Sequence, residues 1–521
     1  MATASWLRRM PVVVILFAIA CQDQVLTPDV ISISNVPQTI TTSADPLIGF
    51  SVQNMVRRGT NFDLSSGSTT QRRSPSVAHN AIDNEYLAVW ADSRNPGEND
   101  VFGQRMSTTG GLIGGNISII EIADAQIDPI VAHNGTNNEY LVAWRTQQQG
   151  AFNTLHGRRL SNAGALLGAD FFILNSGFEG SVVHNPTTNE YLLTGRNPGI
   201  RGRRVGSGGS LLGQEITIAV GGAEAPNGQV AYNGNANEYL ATWRDQVAAN
   251  LKARRIASDG SLVGNAIVVS PSFPNSFDPT ASVAFDPNRN RYLIVFGLFS
   301  SNEIWGQFVA AGSGLLDGVN FPIARGLRTR PVPYVAYSAS AQVFVVVWNE
   351  AGDIQSRLLS AEGARIGSPL LISAGTASGD PRSVYNSRTG EVLVVWSDRR
   401  NLSRGSGEED IYAQRIAIVS CAVCVLVPTT FTRGVGNVSH DTREFVADPS
   451  AFYVLVIHDD GQPNTSAHVR LNGVTIVNET VLRQPGINEL RIPVTLETLN
   501  RLTVTALGNA GAYVTLSIRR T

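Results

Sequence analysis

Lysine is almost missing from this chain of 521 residues: Lys252 stands alone, and the rest of the 40 basic residues are arginines. Against them stand 42 acidic residues, for a formal net charge of −2. That balance excludes the basic excess with which a protein steers nucleic acid to itself. Cysteine is scarce too, with three in all, which excludes a small disulfide-stapled scaffold. Charged residues make up only 16% of the chain while hydrophobic ones make up 43%. Such a composition belongs to a folded protein and excludes a disordered polyelectrolyte. No apolar run reaches the ~20 residues that a membrane-spanning helix needs. What is abundant is turn chemistry, with 50 glycines and 24 prolines, and it points to many short strands. The arginine bias would suit bidentate binding of anions, but the arginines are spread along the whole chain, as codon composition alone would leave them.

Arg8 and Arg9 precede the apolar run Met10–Ala20, and Cys21 follows Ala18-Ile19-Ala20. A charged start, a short apolar stretch and small residues before a cut make an export signal. The combination resembles the lipobox of bacterial lipoproteins, although Ala18 stands where leucine is commonest. The resemblance implies that Cys21 becomes the lipidated first residue, holding the protein on a membrane surface without a spanning segment. Gln22 in place of an aspartate implies the outer membrane by the same analogy. A plain secretory signal is the alternative. Residues 1–20 are thus expected as a signal peptide and 21–58 as a tether rich in Ser, Thr, Pro and Asn.

Aromatic anchors then recur at Trp90, Trp144, Trp243, Phe296, Trp348 and Trp396, with Gly195 in the third slot. Four positions before each stand Tyr86, Tyr140, Tyr191, Tyr239, Tyr292, Phe344 and Val392. Self-similarity at a period of about 50 residues means an array, a solenoid or a propeller. Within each copy EYLAVW-like runs, bounded by Asn, Asp, Gly and Pro, read as buried strands. Residues 76–120 display the unit: SVAHN, EYLAVW, DVFGQRM and GNISII are four successive strands. Glycines four apart, as at Gly110 and Gly114, mark the last hairpin. The seventh copy lacks its fourth strand after IYAQRI, and Gly59–Leu64 carries the missing pattern. The expected fold is therefore all-β, a seven-bladed β-propeller over 59–420 whose N-terminal strand closes the last blade and leaves no open edge.

These units resemble the YLVVW-D-R type propeller repeats of secreted and surface proteins of bacteria. The resemblance rests on VW followed by Asp-x-Arg and then Gly-Gln-Arg. It is clearest at Trp90-Ala91-Asp92-Ser93-Arg94 and at Trp396-Ser397-Asp398-Arg399. It implies an architecture and carries no single activity. The sialidase box and the kelch glycine pair are absent.

Three sets of residues invite a chemical reading. His79, His133 and His184 share a slot that elsewhere holds Tyr232, Phe285, Tyr337 and Tyr385, so the position asks for a flat ring to pack rather than a metal ligand. Arg105, Arg159, Arg204, Arg255, Arg357 and Arg415 end the third strands, with Phe308 as the exception. A ring of arginines could hold an anion, but pairing with a carboxylate or carbonyl between blades answers the need to satisfy buried charge. The loops between second and third strands are longest in copies seven, one and two, which ring closure makes neighbours. They bring Asp92, Glu98 and Asp100 toward Asp398, Glu408, Glu409 and Asp410. Solvated loops, a polar ligand, or Ca²⁺ held at Asp92, Asp100, Asp398 and Asp410 are the readings this rim allows. Paired carboxylates for glycoside hydrolysis are a further one. No HExxH, nucleophile elbow, P-loop or dinucleotide fingerprint is present.

Cys421 and Cys424 are the natural disulfide partners of an exported chain, provided that Ala422-Val423 turns, because three residues of strand span about 10 Å. From Val425 the repeat stops. Strands expected near 453–458, 467–472, 474–478, 490–494, 501–507 and 512–518, with an Asn472-Gly473 hairpin, argue a β-sandwich over 425–521, similar to accessory sandwiches of bacterial surface proteins. The expected function is an exported, lipid-anchored surface protein at the outer membrane or cell surface. Its propeller is a binding or scaffolding module for a protein or glycan, without a cofactor. The alternative is a secreted propeller enzyme acting on polysaccharide through the rim carboxylates.

Overall fold

The computed structural model describes residues 52–520 except 66–70, 96–98, 148–152, 177–179, 221–222, 225–228, 271–280, 378, 380, 402–408, 422–423, 434–439, 448, 450–451, 460–464, 479–488, 498 and 509–511. Cys21, the signal segment and most of the expected tether lie outside the described residues, as do Glu98 and Glu408. Every regular element described is a strand, and the strands form nine antiparallel sheets. Seven sheets draw on Val52–Cys421 and two on Cys424–Arg520.

Each of the seven repeats contributes to one sheet of up-and-down strands, as in Arg72–Asn80, Glu85–Asp92, Asp100–Ser107 and Leu112–Ile120; in the fourth, Ala223–Glu224 and Val230–Asn233 both pair with Glu238–Asp245. The turn between first and second strands places one residue in the left-handed region: Asn84, Asn138, Asn189, Asn237, Asn290, Gln342 and Gly390 hold the same slot. Asparagine tolerates that conformation because its short amide bonds locally, which explains the Asn before each EYL run. The first strands touch in sequence, from Arg72–Asn80 to Ala125–Asn134 and onward, until Arg382–Tyr385 meets Arg72–Asn80 again. The repeats therefore close into a ring, a β-propeller.

Closure uses the N-terminus. Val52–Asp63 pairs antiparallel with Asp410–Cys421, outermost in the sheet that also holds Glu391–Asp398 and Arg382–Tyr385. The strand starts seven residues earlier than the expected boundary at 59, because Val52–Arg58 continues the ladder opposite Arg415–Cys421. A register shift between Arg58 and Phe62 interrupts that ladder, and the glycine expected to mark the strand's start, Gly59, falls inside this shift.

Between sheets lie apolar layers. Trp90, Phe102 and Met106 pack with Leu393, Val395 and Ile411 of the last repeat. Trp90, Trp144, Trp348 and Trp396 are among the largest fully buried side chains, each worth about 1.5–3 kcal/mol of burial. In the third copy a Cβ at Gly195 would stand 2.6 Å from Ser176 Oγ, so no aromatic fits that slot.

The third-strand arginines serve the same cement. Arg105 donates to both carboxylate oxygens of Glu85 at 3.0 and 2.9 Å and reaches Ala163 O of the next sheet at 3.1 Å. Arg159, Arg204 and Arg415 repeat this with Glu139, Glu190 and Glu391, and with the carbonyls of Gly208, Asp259 and Thr109. In the fifth copy Arg291 takes the glutamate's place and lies 4.0 Å over the Phe308 ring. In the sixth both partners are apolar, Val343 and Leu358, and both are buried. Arg357, expected in this slot, lies one residue off: it faces Val346, as Gln104 faces Ala88, and donates to Gly367 O at 3.0 Å.

The two C-terminal sheets each have four strands. One runs Cys424–Thr432, Tyr513–Arg520, Tyr453–Asp459, Glu489–Val494, and the other runs Asp441–Val446, Leu499–Leu507, Ser466–Leu471, Val474–Val477. They share one core of Leu455, Ile457, Val469, Leu502, Val504, Val514 and Leu516. Asn472 and Gly473 both have positive φ, 50° and 83°, as their hairpin requires. The strands Cys424–Thr432 and Asp441–Val446 are additional to those expected. Cys421 ends one strand and Cys424 begins the next; their side chains, and with them the disulfide, lie outside the described residues.

Candidate functional site

The rim carboxylates sit where second strands end and third strands begin. Asp92 lies directly opposite Asp100 across the ladder, and Asp398 directly opposite Asp410. Like charges in that relationship repel, so each copy needs a compensating cation. The W-x-D-x-R pattern supplies it locally. Asp92 Oδ2 accepts from Trp90 Nε1 at 3.0 Å and from Arg94 Nη2 at 2.6 Å, and Arg94 lies 3.8 Å over the Phe102 ring. Asp398 Oδ2 accepts from Trp396 Nε1 at 2.7 Å and from Arg400 Nη2 at 2.6 Å, with Arg400 lying 4.0 Å over the Tyr412 ring. The partner in the last copy is thus Arg400, one residue beyond the arginine first paired with the motif.

Ring closure joins these two units. Arg72, near the start of the first repeat's inner strand, donates through Nε to Asp92 at 3.0 Å and through Nη1 to Asp410. Glu409 accepts from Arg73 Nε at 2.8 Å and from Arg399 Nε at 2.8 Å. Asp410 also accepts from Asn401 Nδ2 at 2.9 Å. Asp92, Asp100, Asp398, Glu409 and Asp410 are all buried. Arg72, Arg73, Arg94, Arg399 and Arg400 engage four of these five carboxylates, and Asp100 accepts from Asn95 instead. The sequence signal for the arginines was present in the Asp-x-Arg motif and in Arg72-Arg73, but nothing local ties Arg72 to a residue 338 positions away.

The protonation behaviour follows from these contacts. Burial alone would raise the Asp398 carboxyl, but the hydrogen bonds from Arg400 and Trp396 and the Arg400 charge hold it below the usual range. Asp92 is held down against burial in the same way by Arg94, Trp90 and Arg72. Asp100 goes the other way: desolvation raises it, and the charges of Glu121 and Asp92 add to the rise despite the bond from Asn95. Asn95 Nδ2 also donates to Glu121 Oε2 at 3.1 Å, so it stands between two carboxylates. Asp63, on the closing strand, is likewise raised by burial and by Asp410. Among the described residues no three His, Cys, Asp or Glu are grouped so as to hold a metal ion.

The second copy shows the rim without its charges. Gln126 and Thr146 occupy the places of Arg72 and Asp92, both buried. Its charge pair is moved to Arg145 and Asp128, at 2.6 Å. The three histidines lie away from this rim, at the other end of the inner strands. Their rings lie 5.1–5.3 Å from Tyr86, Tyr140 and Tyr191, and Phe285 holds the same relationship to Tyr292 at 5.1 Å.

No family model and no curated protein matches the chain. Its likeness is to solved structures alone. A protein of unknown function from Dyadobacter fermentans is 11% identical, with a TM-score of 0.46 over 70% of this chain and 99% of that one. The Dos1 propeller is 11% identical, with a TM-score of 0.38 over 69% of this chain and 95% of that one. The exo-β-1,3-galactanase of Phanerochaete chrysosporium, bound to β-1,3-galactotriose, is 11% identical, with a TM-score of 0.36 over 89% of this chain and 100% of that one.

Proposed function

We propose that this is an exported surface protein, anchored through Cys21, whose seven-bladed propeller is a binding or scaffolding module for a protein or glycan and whose C-terminal sheets form an appended β-sandwich. The observation that carries the reading is the lattice of arginine–carboxylate pairs at the closure. Asp92, Asp398, Glu409 and Asp410 each accept from at least one arginine. Carboxylates so engaged hold a surface in a fixed shape and are poor proton carriers. A rim fixed by these pairs, joining the last and first repeats, suits recognition by shape and hydrogen bonding.

A second reading, a polysaccharide-cleaving enzyme, has one observation in its favour. Asp100 is a buried carboxyl with a raised pKa beside a second carboxylate, the pairing from which a general acid is made. One experiment separates the two: a panel of polysaccharides assayed for retention and for turnover. Retention without turnover is the expected result. Turnover that disappears in Asp100→Asn and in Asp410→Asn would replace the binding module with the enzyme. The anchor is tested by Cys21→Ser, which moves the protein from the membrane fraction to the soluble one; an unchanged distribution would remove it from the proposal.

A further inference from the structure

A cavity lies away from the rim, where the closing strand meets the C-terminal sheets. It has a volume of about 310 Å³ and is lined by Arg58, Arg519, His458, Thr515 and Ser517 along with Arg57 and Tyr513. We propose that it is a binding site for a small multivalent oxyanion, a phosphate or sulfate group either free or borne on an ester.

The argument begins with strand Tyr513–Arg520. Val514, Leu516 and Ile518 face the core shared by the two C-terminal sheets. Strand alternation then puts Tyr513, Thr515, Ser517 and Arg519 on the opposite face, toward the ring. That face is covered: Tyr513, Thr515 and Ser517 are all buried. A surface that merely docks one unit on another gains by being apolar, and buried hydroxyls and guanidinium groups cost free energy unless something satisfies them. Arg519 Nε is buried and has no hydrogen-bond partner among the described residues.

The charges agree. Three guanidinium groups line the cavity against one lining carboxylate, Asp459, with Glu489 3.3 Å from His458 behind it. Arg57 is fixed in place, 3.5 Å over the Tyr513 ring, and it donates to Ile372 O at 3.1 Å. Arg58 is only loosely engaged: its Nε is 3.8 Å from Glu391, its side chain is 52% exposed, and Glu391 is already held by two nitrogens of Arg415 at 3.0 and 2.8 Å. Arginine presents a planar fork that matches a tetrahedral oxyanion, and Ser517 adds a hydroxyl within the same wall, while the Thr515 hydroxyl is shared with Thr430 at 3.0 Å. An oxyanion here would supply the acceptor that Arg519 Nε lacks, and it would join the closing strand to the C-terminal sheets.

The test is calorimetric titration of the full chain with inorganic phosphate, inorganic sulfate and a phosphate monoester, at ionic strength held constant with chloride. Saturable binding of one ion per chain is expected, and a stronger response to the monoester would assign the site to an ester-borne group. Arg519→Gln and Arg58→Gln each remove charge-assisted hydrogen bonds and weaken binding by about tenfold. Arg325→Gln, elsewhere on the surface, leaves it unchanged. Should Arg519→Gln fail to fold, the half-exposed Arg58→Gln decides. Absence of saturable binding to any of the three probes overturns the proposal. So does binding undiminished in a folded Arg58→Gln protein, because the ion is then held elsewhere.

Discussion

Arg72 Nε donates to Asp92 Oδ2 at 3.0 Å, and the two side chains are 1% and 0% exposed. The same guanidinium reaches Asp410 in the last repeat, so one buried cation serves two carboxylates on either side of the closure. Removing this cation leaves Asp92 with Arg94 but takes from Asp410 the arginine that bridges it to the first repeat. Arg72→Leu is therefore expected to cost about 3–5 kcal/mol, seen as a lower urea midpoint. A variant as stable as the parent would show that the closure does not depend on this group.

The fifth and sixth repeats show what replaces the glutamate–arginine pair. Arg291 with Phe308, and Val343 with Leu358, change both members together. Glu238 and Arg255 form the pair in the fourth repeat, at 2.7 Å. Glu238→Val or Arg255→Leu alone should each destabilise, while the double variant recovers part of the loss. The coupling energy is expected at about 1–2 kcal/mol in a double-mutant cycle. Strictly additive effects would mean that the pair is incidental.

Asp398 has a lowered pKa in the folded ring, its burial outweighed by Arg400 and Trp396. A depressed carboxyl contributes stability that is fully present above the unfolded value, about 3.9, and is lost as pH falls through the folded value. Asp398→Asn should accordingly lower the melting temperature at neutral pH, and the gap from the parent should shrink as the pH drops below about 4. A gap that stays constant with pH would exclude the ionic contribution.

His133 packs at 5.1 Å against Tyr140, as Phe285 packs against Tyr292. His133→Phe should change stability by no more than about 1 kcal/mol and leave ligand retention intact. A large loss of retention would make the histidine slot part of a site.

The periodic aromatic slot made the ring legible, because an EYLAVW strand buried on both faces has to recur with every sheet. The closing strand was legible only from Gly59 onward: Val52–Arg58 resembles no repeat, since it lengthens a ladder present in one sheet alone. Arg357 was misplaced because its slot is set by cross-strand register, which loop length obscures. The rim carboxylates were found by type and loop position. Their neutralisation was not, because Arg73 and Glu409 are separated by 336 residues and only closure brings them together.

That closure also orders events in time. Gln414 Nε2 donates to the carbonyl of Arg58, 356 residues upstream. Val52–Asp63 is made before its partner Asp410–Cys421, so it has to wait, unpaired, through the synthesis of the six other sheets of the ring. Long-range strand pairing of this kind is slow and exposes an edge while it waits. The ring is thus most exposed to misassembly before its last repeat is made, and a helper that shields Val52–Asp63 would act before that point rather than after it.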